Sequence, residues 1–274
     1  MKTSCLPVSF FKALQSGEMS LKDWARMAKS LGLDAIDLSA ILIKNHTPVL
    51  LNQIRRDLEA AGIGVTMITT YPDFTHPDSR QRERELEYLR HDIAVAAQLG
   101  AKYLRILAGQ AHPATGLEDG KTWAVEGFKR AAAVADQHGV VLLYENHSKP
   151  GAWDYVDFSL PTAIFLELYH RTRDTSIKVN FDTGNTLVYG DDPLPVLRQV
   201  MPDVETIHVA DNAVRGKLSP VVIGTGIVPF KELFTFLKER GFDGWLCIEE
   251  GSNTGEPGVK AAVDFVKTTW EAIA

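Results

Sequence analysis

The sequence predicts a (β/α)8 barrel, the TIM-barrel architecture, formed as a single domain over residues 1–274. Three observations carry that expectation. Short apolar runs alternate with helix-patterned stretches eight times, which implies parallel strands joined by helical crossovers. No Pro/Ser-rich linker divides the chain, and its 274 residues suit a fold for which about 250 are typical. Polar residues recur at the C-terminal ends of the apolar runs, where barrel loops build sites. An open doubly wound sheet is the alternative, and that recurrence favours the barrel.

Leu6–Phe11 reads as the first strand. Ser20 caps a helix through LKDWARMAKSLG, and Gly32 stops it. Asp34–Leu38 is the second strand, Pro48 opens a helix that ends near Gly62, and Gly64–Thr69 is the third strand. Asp78 or Ser79 caps a long charged helix that stops at Gly100, and its RQRERELEY run reads as a solvated face with opposite charges at close spacing. Lys102–Leu107 is the fourth strand, and a helix from about Glu118 to His138 leads through Gly139 to the fifth, which ends at Glu145. Pro161–Arg171 is helical, the sixth strand starts at Ile177, and Asp192-Pro193 opens the next helix. The seventh strand starts near Val204, Pro229–Arg240 is helical, the eighth strand follows Gly244, and Pro257–Ile273 closes the chain as a helix.

Lys+Arg 29 against Asp+Glu 35 gives a net charge of −6, which argues against a general nucleic-acid binder. Cys5 and Cys247 are the two cysteines; each falls in an apolar run, without zinc spacing, and reads as a small buried residue. Neither suggests a disulfide, so a reducing, cytoplasmic setting is expected. No signal peptide and no membrane-spanning run is read in the sequence.

The fifth strand ends in ENHSKPG, with Glu145 at its tip. Three later strands end likewise: KVNFD in Asp182, ETIH in His208 and WLCIE in Glu249. A carboxylate at the tip of a strand covered on both faces is costly to bury without a partner. Three carboxylates and one imidazole at four strand ends suit a single divalent metal. The mostly hard-oxygen set favours Mn2+ or Mg2+, while the imidazole admits Zn2+ or Co2+. Glu145 and Glu249 face each other across the barrel mouth, where two carboxylates can act as base and acid on opposite faces of a substrate.

From Tyr144 onward the order ENH, DTGN, HVADN, GTGIVPF, GFDGWLCIEE resembles the xylose isomerase-like barrel superfamily of sugar phosphate isomerases and epimerases. That group also contains inosose and dehydroshikimate dehydratases and endonuclease IV. The resemblance implies Glu145, Asp182, His208 and Glu249 as metal ligands and the two glutamates as the acid–base pair. It further implies a metal-dependent isomerase or epimerase acting on a ketose, keto-polyol or related carbohydrate through an enediolate. A dehydratase of a keto-polyol is the nearest alternative, and an endonuclease IV-like DNA phosphodiesterase is one of another class. A small carbohydrate is the expected partner, with homo-oligomerisation left open. Two departures stand out. Ketose 3-epimerases tend to carry a His three residues after the aspartate, where this chain has Asn185, and an acid about six residues after the first glutamate, where it has Gly151. Asn185 also weakens the endonuclease reading, whose metal cluster needs extra histidines.

His147, two residues past Glu145, falls on the same side of an extended segment and is read as a substrate contact or second acid–base group. Asn185 and, by the resemblance, Arg215 are read as further substrate contacts. Arg105, inside an apolar strand, calls for an anionic partner. Gly224-Thr225-Gly226 precedes a helix and offers backbone amides to an anion. Trp153, Tyr155 and Phe158 read either as a lid over a sugar ring or as packing residues. His46, His76 and His112 lie in loops at the same barrel end, and none is assigned as a ligand.

Overall fold

The computed structural model describes residues 1–273. Eight strands alternate with helices: β1 (Lys2–Leu6), α1 (Phe11–Ser16), α2 (Leu21–Ser30), β2 (Ala35–Ser39), α3 (Pro48–Ala61), β3 (Gly64–Thr69), α4 (Ser79–Leu99) and β4 (Tyr103–Ile106) make the first half. The second half is α5 (Leu117–His138), β5 (Val141–Glu145), α6 (Thr162–Arg171), β6 (Lys178–Asp182), α7 (Asn185–Tyr189), α8 (Pro193–Val200), β7 (Val204–Val209), α9 (Phe230–Glu239), β8 (Trp245–Glu249) and α10 (Glu256–Ala272). All paired strands are parallel, in the order β1-β8-β7-β6-β5-β4-β3-β2. The remaining seam, β1 against β2, is closed through Asp34: its N–H donates to Thr3 O at 2.9 Å, and its carboxylate accepts from Thr3 N at 2.8 Å. The barrel is thus nearly closed, as expected for a (β/α)8 fold.

Helix ends follow the expected chemistry. Ser20 and Asp23 form a capping box at α2, and Asp78 accepts from Arg80 N at 2.9 Å at the start of α4. The first strand is displaced from its expected place. Leu6–Phe11 contains only the last residue of β1, then Pro7, a short 3-10 turn and the start of α1. The true strand was masked because Thr3 and Ser4 are polar yet fully buried, so it shows no long apolar run. Ser4 donates to Asp37 at 2.8 Å inside the barrel.

The main core lies between strands and helices, with Trp24, Phe128, Phe165, Phe181 and Phe234 fully buried. A second, small cluster of Met67, Tyr103, Leu143 and Cys247 packs apart from it. These four alternate with the strand residues of the main core, as inward residues of a barrel do. Other buried strand positions are polar: Arg105, Glu145, Asn180, Thr206 and His208. Cys5 and Cys247 are both buried and free. Among the described residues no helix is long and apolar enough to cross a membrane.

Candidate active site

Pairing register brings the four strand-end residues together. Glu145 at the tip of β5 sits opposite Asn180 on β6, Asp182 opposite His208 on β7, and Glu249 at the tip of β8 opposite Leu6. A register shift at Val179/Asn180 skips Glu205 of β7, a bulge-type irregularity below the functional ends of the two strands. One ligand-type atom from each of Glu145, Asp182, His208 and Glu249 lies within 4.8 Å of the others.

The cluster is charged and mostly buried. His208 Nδ1 stands 2.5 Å from Glu145 Oε1 and 2.9 Å from Glu249 Oε2. Burial opposes a charge on His208, but the two carboxylates outweigh it and raise its pKa well above the usual histidine value. Burial, reinforced by Glu249 and Glu145, pushes Asp182 well above the carboxylate range. Glu145 is also buried, yet His208 and Arg105 bring it down to about 2. Without a further cation, three carboxylates this close depend on protons on Asp182 and His208. Glu145 Oε2, Asp182 Oδ2 and both ring nitrogens of His208 are buried with no aligned hydrogen bond. Native proteins rarely leave such groups unpaired. The donor set therefore fits a divalent cation, which would meet the unpaired oxygens and a neutral imidazole together.

Neighbouring groups hold the cluster in place. Asn180 donates to Glu145 Oε1 at 2.6 Å and accepts from Thr206 Oγ1 at 2.6 Å. Asp182 Oδ1 accepts from the N–H groups of Gly184 (2.8 Å) and Asn185 (2.6 Å), which leaves Oδ2 free. The Asn146 side chain straps the end of β5 to β6, accepting from Asp182 N at 2.8 Å and donating to Asp182 O at 2.9 Å. Asn146 and Asn180 were not picked out from sequence. Asn180 had a readable signal, since it lies two residues before Asp182 and so on the same strand face.

Above the cluster opens a cavity of about 460 Å³, lined by Arg105, His147, Asp182, Asn185 and Glu249. Leu6, Val8, Phe11, Ile41, Val188 and Leu218 give it an apolar wall. Glu249 reaches this cavity with its side chain 22% exposed, whereas Glu145 is fully buried. His147 Nε2 is 4.0 Å from Glu145 Oε2, and burial pushes the His147 pKa down to about 4. Arg105 has the anionic partner its burial called for: Nε lies 3.2 Å from Glu145 Oε2.

Other expected contributors lie elsewhere. Arg215 is on the exposed rim, donating to Gly190 O at 2.8 Å and Asp192 at 2.6 Å, outside the cavity lining. The Gly224–Gly226 amides are engaged: Gly224 N and Gly226 N donate to Asp211 Oδ2 at 2.9 and 2.8 Å. An internal carboxylate thus takes the place expected for an external anion, and a Cβ at Gly226 would collide with it. Trp153 and Phe158 are packed residues, each 7% exposed, while Tyr155 stands against His112. His112 is bound to Asp73 at 2.7 Å and meets His76 edge to face, and His46 is exposed.

Comparison with known proteins places this geometry in context. A protein of Streptomyces coelicolor, provisionally named hydroxypyruvate isomerase, is 29% identical over 244 residues, covering 85% of this chain and 86% of its own. Inosose dehydratase 1 of Bacillus cereus is 25% identical over 224 residues, covering 71% of this chain and 70% of its own. The crystal structure of D-psicose 3-epimerase from Clostridium cellulolyticum superposes with a TM-score of 0.79 at 17% identity, covering 98% of this chain and 99% of its own. The family described as xylose isomerase-like TIM barrel matches residues 25–269, and the chain belongs to that family.

Proposed function

We propose that the protein is a divalent-metal-dependent isomerase or epimerase of a ketose, keto-polyol or related carbohydrate, with one cation held by Glu145, Asp182, His208 and Glu249. One observation carries the reading: buried donors without aligned partners converge within 4.8 Å at the floor of a sugar-sized cavity. The names of the relatives, an isomerase, a dehydratase and an epimerase, support it. A bound cation would supply the positive charge that acidifies a proton next to a carbonyl and stabilises an enediolate. Mn2+ or Mg2+ suits the oxygen-rich set best, with Zn2+ or Co2+ admitted by His208.

The chain's own groups do the rest. Glu249, at the cavity wall, takes the proton α to the carbonyl. Glu145, held ionised in the cluster, first takes up a proton by way of His147 and then returns it from the other side. His147, which lines the cavity 4.0 Å from Glu145 Oε2, contacts substrate and stands where it can pass that proton on. Asn185 contacts a substrate hydroxyl, while Arg215 shapes the rim. The apolar wall excludes water from the reacting carbons.

Dehydration of a keto-polyol shares the first proton abstraction, and the inosose dehydratase relative, with Asn185 in place of the epimerase histidine, favours it as the second reading. DNA hydrolysis is the weaker alternative. Among the described residues one cluster of metal-type side chains is present, and the chain is acidic.

The test is a screen of ketoses, keto-polyols and keto-acids with Mn2+ in deuterated water, followed by Glu145→Gln and Glu249→Gln. Deuterium should enter at the carbon next to the carbonyl, and each substitution should cost about 100-fold or more in turnover. Full activity in either variant would exclude that glutamate as a proton carrier. Product free of solvent deuterium at early times would point to a hydride shift instead.

A further inference from the structure

The cavity has two unlike walls. Acceptors Asp182 Oδ2 and Glu249 lie on the β6 and β8 side. Donors lie on the β4 and β5 side, where Arg105 is 1% exposed and His147 is 8% exposed. Arg105 has five N–H donors, yet among the described residues its one aligned hydrogen bond is Nη1 to Thr70 O at 3.0 Å. Nε forms an ion pair with Glu145 Oε2 at 3.2 Å without an aligned hydrogen bond. His147 Nδ1 is buried and unpaired in the same wall. The guanidinium also lies over the Tyr71 ring, 5.0 Å from its centroid; beyond these contacts Nη2 makes no hydrogen bond among the described residues, and Arg105 lines the cavity, where a ligand can use that nitrogen.

Resting on the metal reading above, we propose that the substrate carries a carboxylate beside its chelating oxygens and that Arg105 holds it. The site would then take a keto or hydroxy sugar acid rather than a neutral ketose or a sugar phosphate. A carboxylate is planar and accepts on two oxygens, which matches the guanidinium fork. A hydroxyl fills one donor and brings a donor of its own into a wall that already has too many. The nearness of Arg105 to Glu145, 3.2 Å, would place the anionic group next to the chelated carbonyl. A phosphate would also draw on backbone amides, and the amide-rich turn Gly224–Gly226 lies outside the cavity lining and is taken up by Asp211.

Calorimetry on the full chain loaded with Mn2+ tests this with matched ligands. Hydroxypyruvate and dihydroxyacetone differ in a carboxylate against a CH2OH; 2-ketogluconate and fructose form a larger pair; dihydroxyacetone phosphate supplies the phosphate. The acid of at least one pair should bind about 10-fold or more tightly than its neutral partner, the value of one or two charge-assisted hydrogen bonds. Arg105→Gln should bring that ratio to within about 3-fold of unity while Mn2+ still binds one per chain, and Arg105→Lys should keep an intermediate ratio. If Arg105→Gln fails to fold, the wild-type ratio and Arg105→Lys decide. Equal affinities within both pairs, absence of binding by both acids, or tightest binding of the phosphate would overturn the proposal. Failure of the wild type to bind Mn2+ at all would instead refute the metal centre on which it rests.

Discussion

Asp211 supports the rim of the cavity, and its replacement gives a sharp test of how that rim is built. Its carboxylate accepts from Gly224 N (2.9 Å), Gly226 N (2.8 Å), Val228 N (3.2 Å) and its neighbour Asn212 N (2.9 Å). Three of these bonds tie the end of β7 to the segment before α9. A hydrogen bond to a charged group contributes about 1.5–3 kcal/mol. Gly224 is exposed and Gly226 half-buried, so water replaces part of what is lost, whereas Val228 is buried. Asp211→Ala should therefore cost about 2–4 kcal/mol, which for a chain of this size lowers Tm by roughly 4–16 °C. Asp211→Asn is the informative variant. It keeps shape and volume, but places an NH2 donor where either the Gly224/Gly226 pair or the Asn212/Val228 pair needs an acceptor. Its loss should approach that of alanine. Thermal unfolding followed by circular dichroism in chelator and in Mn2+ measures both. An asparagine variant as stable as the wild type would show that the carboxylate is not what holds this segment.

Asp182→Ala should abolish stabilisation by metal while the barrel survives. At a free cation concentration near 100 times Kd, the wild type gains about 2.7 kcal/mol, or roughly 5–10 °C. A variant that keeps the full Mn2+-dependent rise in Tm would remove Asp182 from the ligand set. Asp157 tests a buried charge away from the cluster. Burial raises its pKa to about 7, above its unfolded value near 3.9, so the folded state binds the extra proton and loses stability as pH rises between those values. Its Oδ2 is unpaired, while Oδ1 accepts from Ser159 N at 2.7 Å. Asp157→Asn should accordingly gain in Tm relative to the wild type as pH rises from about 4 to about 7, the interval between the unfolded and folded values. An unchanging difference across that range would contradict the burial argument.

The parts of the fold that could be read from sequence were those whose local chemistry agrees with their tertiary role. β3, β5 and β8 are apolar runs bounded by glycine or by the polar strand tip, and α2, α3 and α4 carry their own caps and stops. β1 was misplaced because Thr3 and Ser4 spend their hydroxyls on Asp34 and Asp37, partners more than thirty residues away. α7 passed unnoticed because five residues after a buried aspartate show no helical period. The four strand-tip residues were legible because strand ends in a barrel converge by geometry alone. The assignment of the Gly224–Gly226 amides was not legible, since nothing local shows that Asp211 occupies them. Arg105 announced that it needed an anion, but only the structure pairs it with Glu145 and places it in the wall of a cavity.

The central claim is that Glu145, Asp182, His208 and Glu249 together hold one divalent cation. Crystals grown with Mn2+, measured for anomalous scattering, test it most directly. One strong anomalous peak should appear between these four side chains, with one Mn2+ per chain in the dissolved crystals. A saturated protein whose peak lies elsewhere, or whose four side chains enclose no peak, would contradict it.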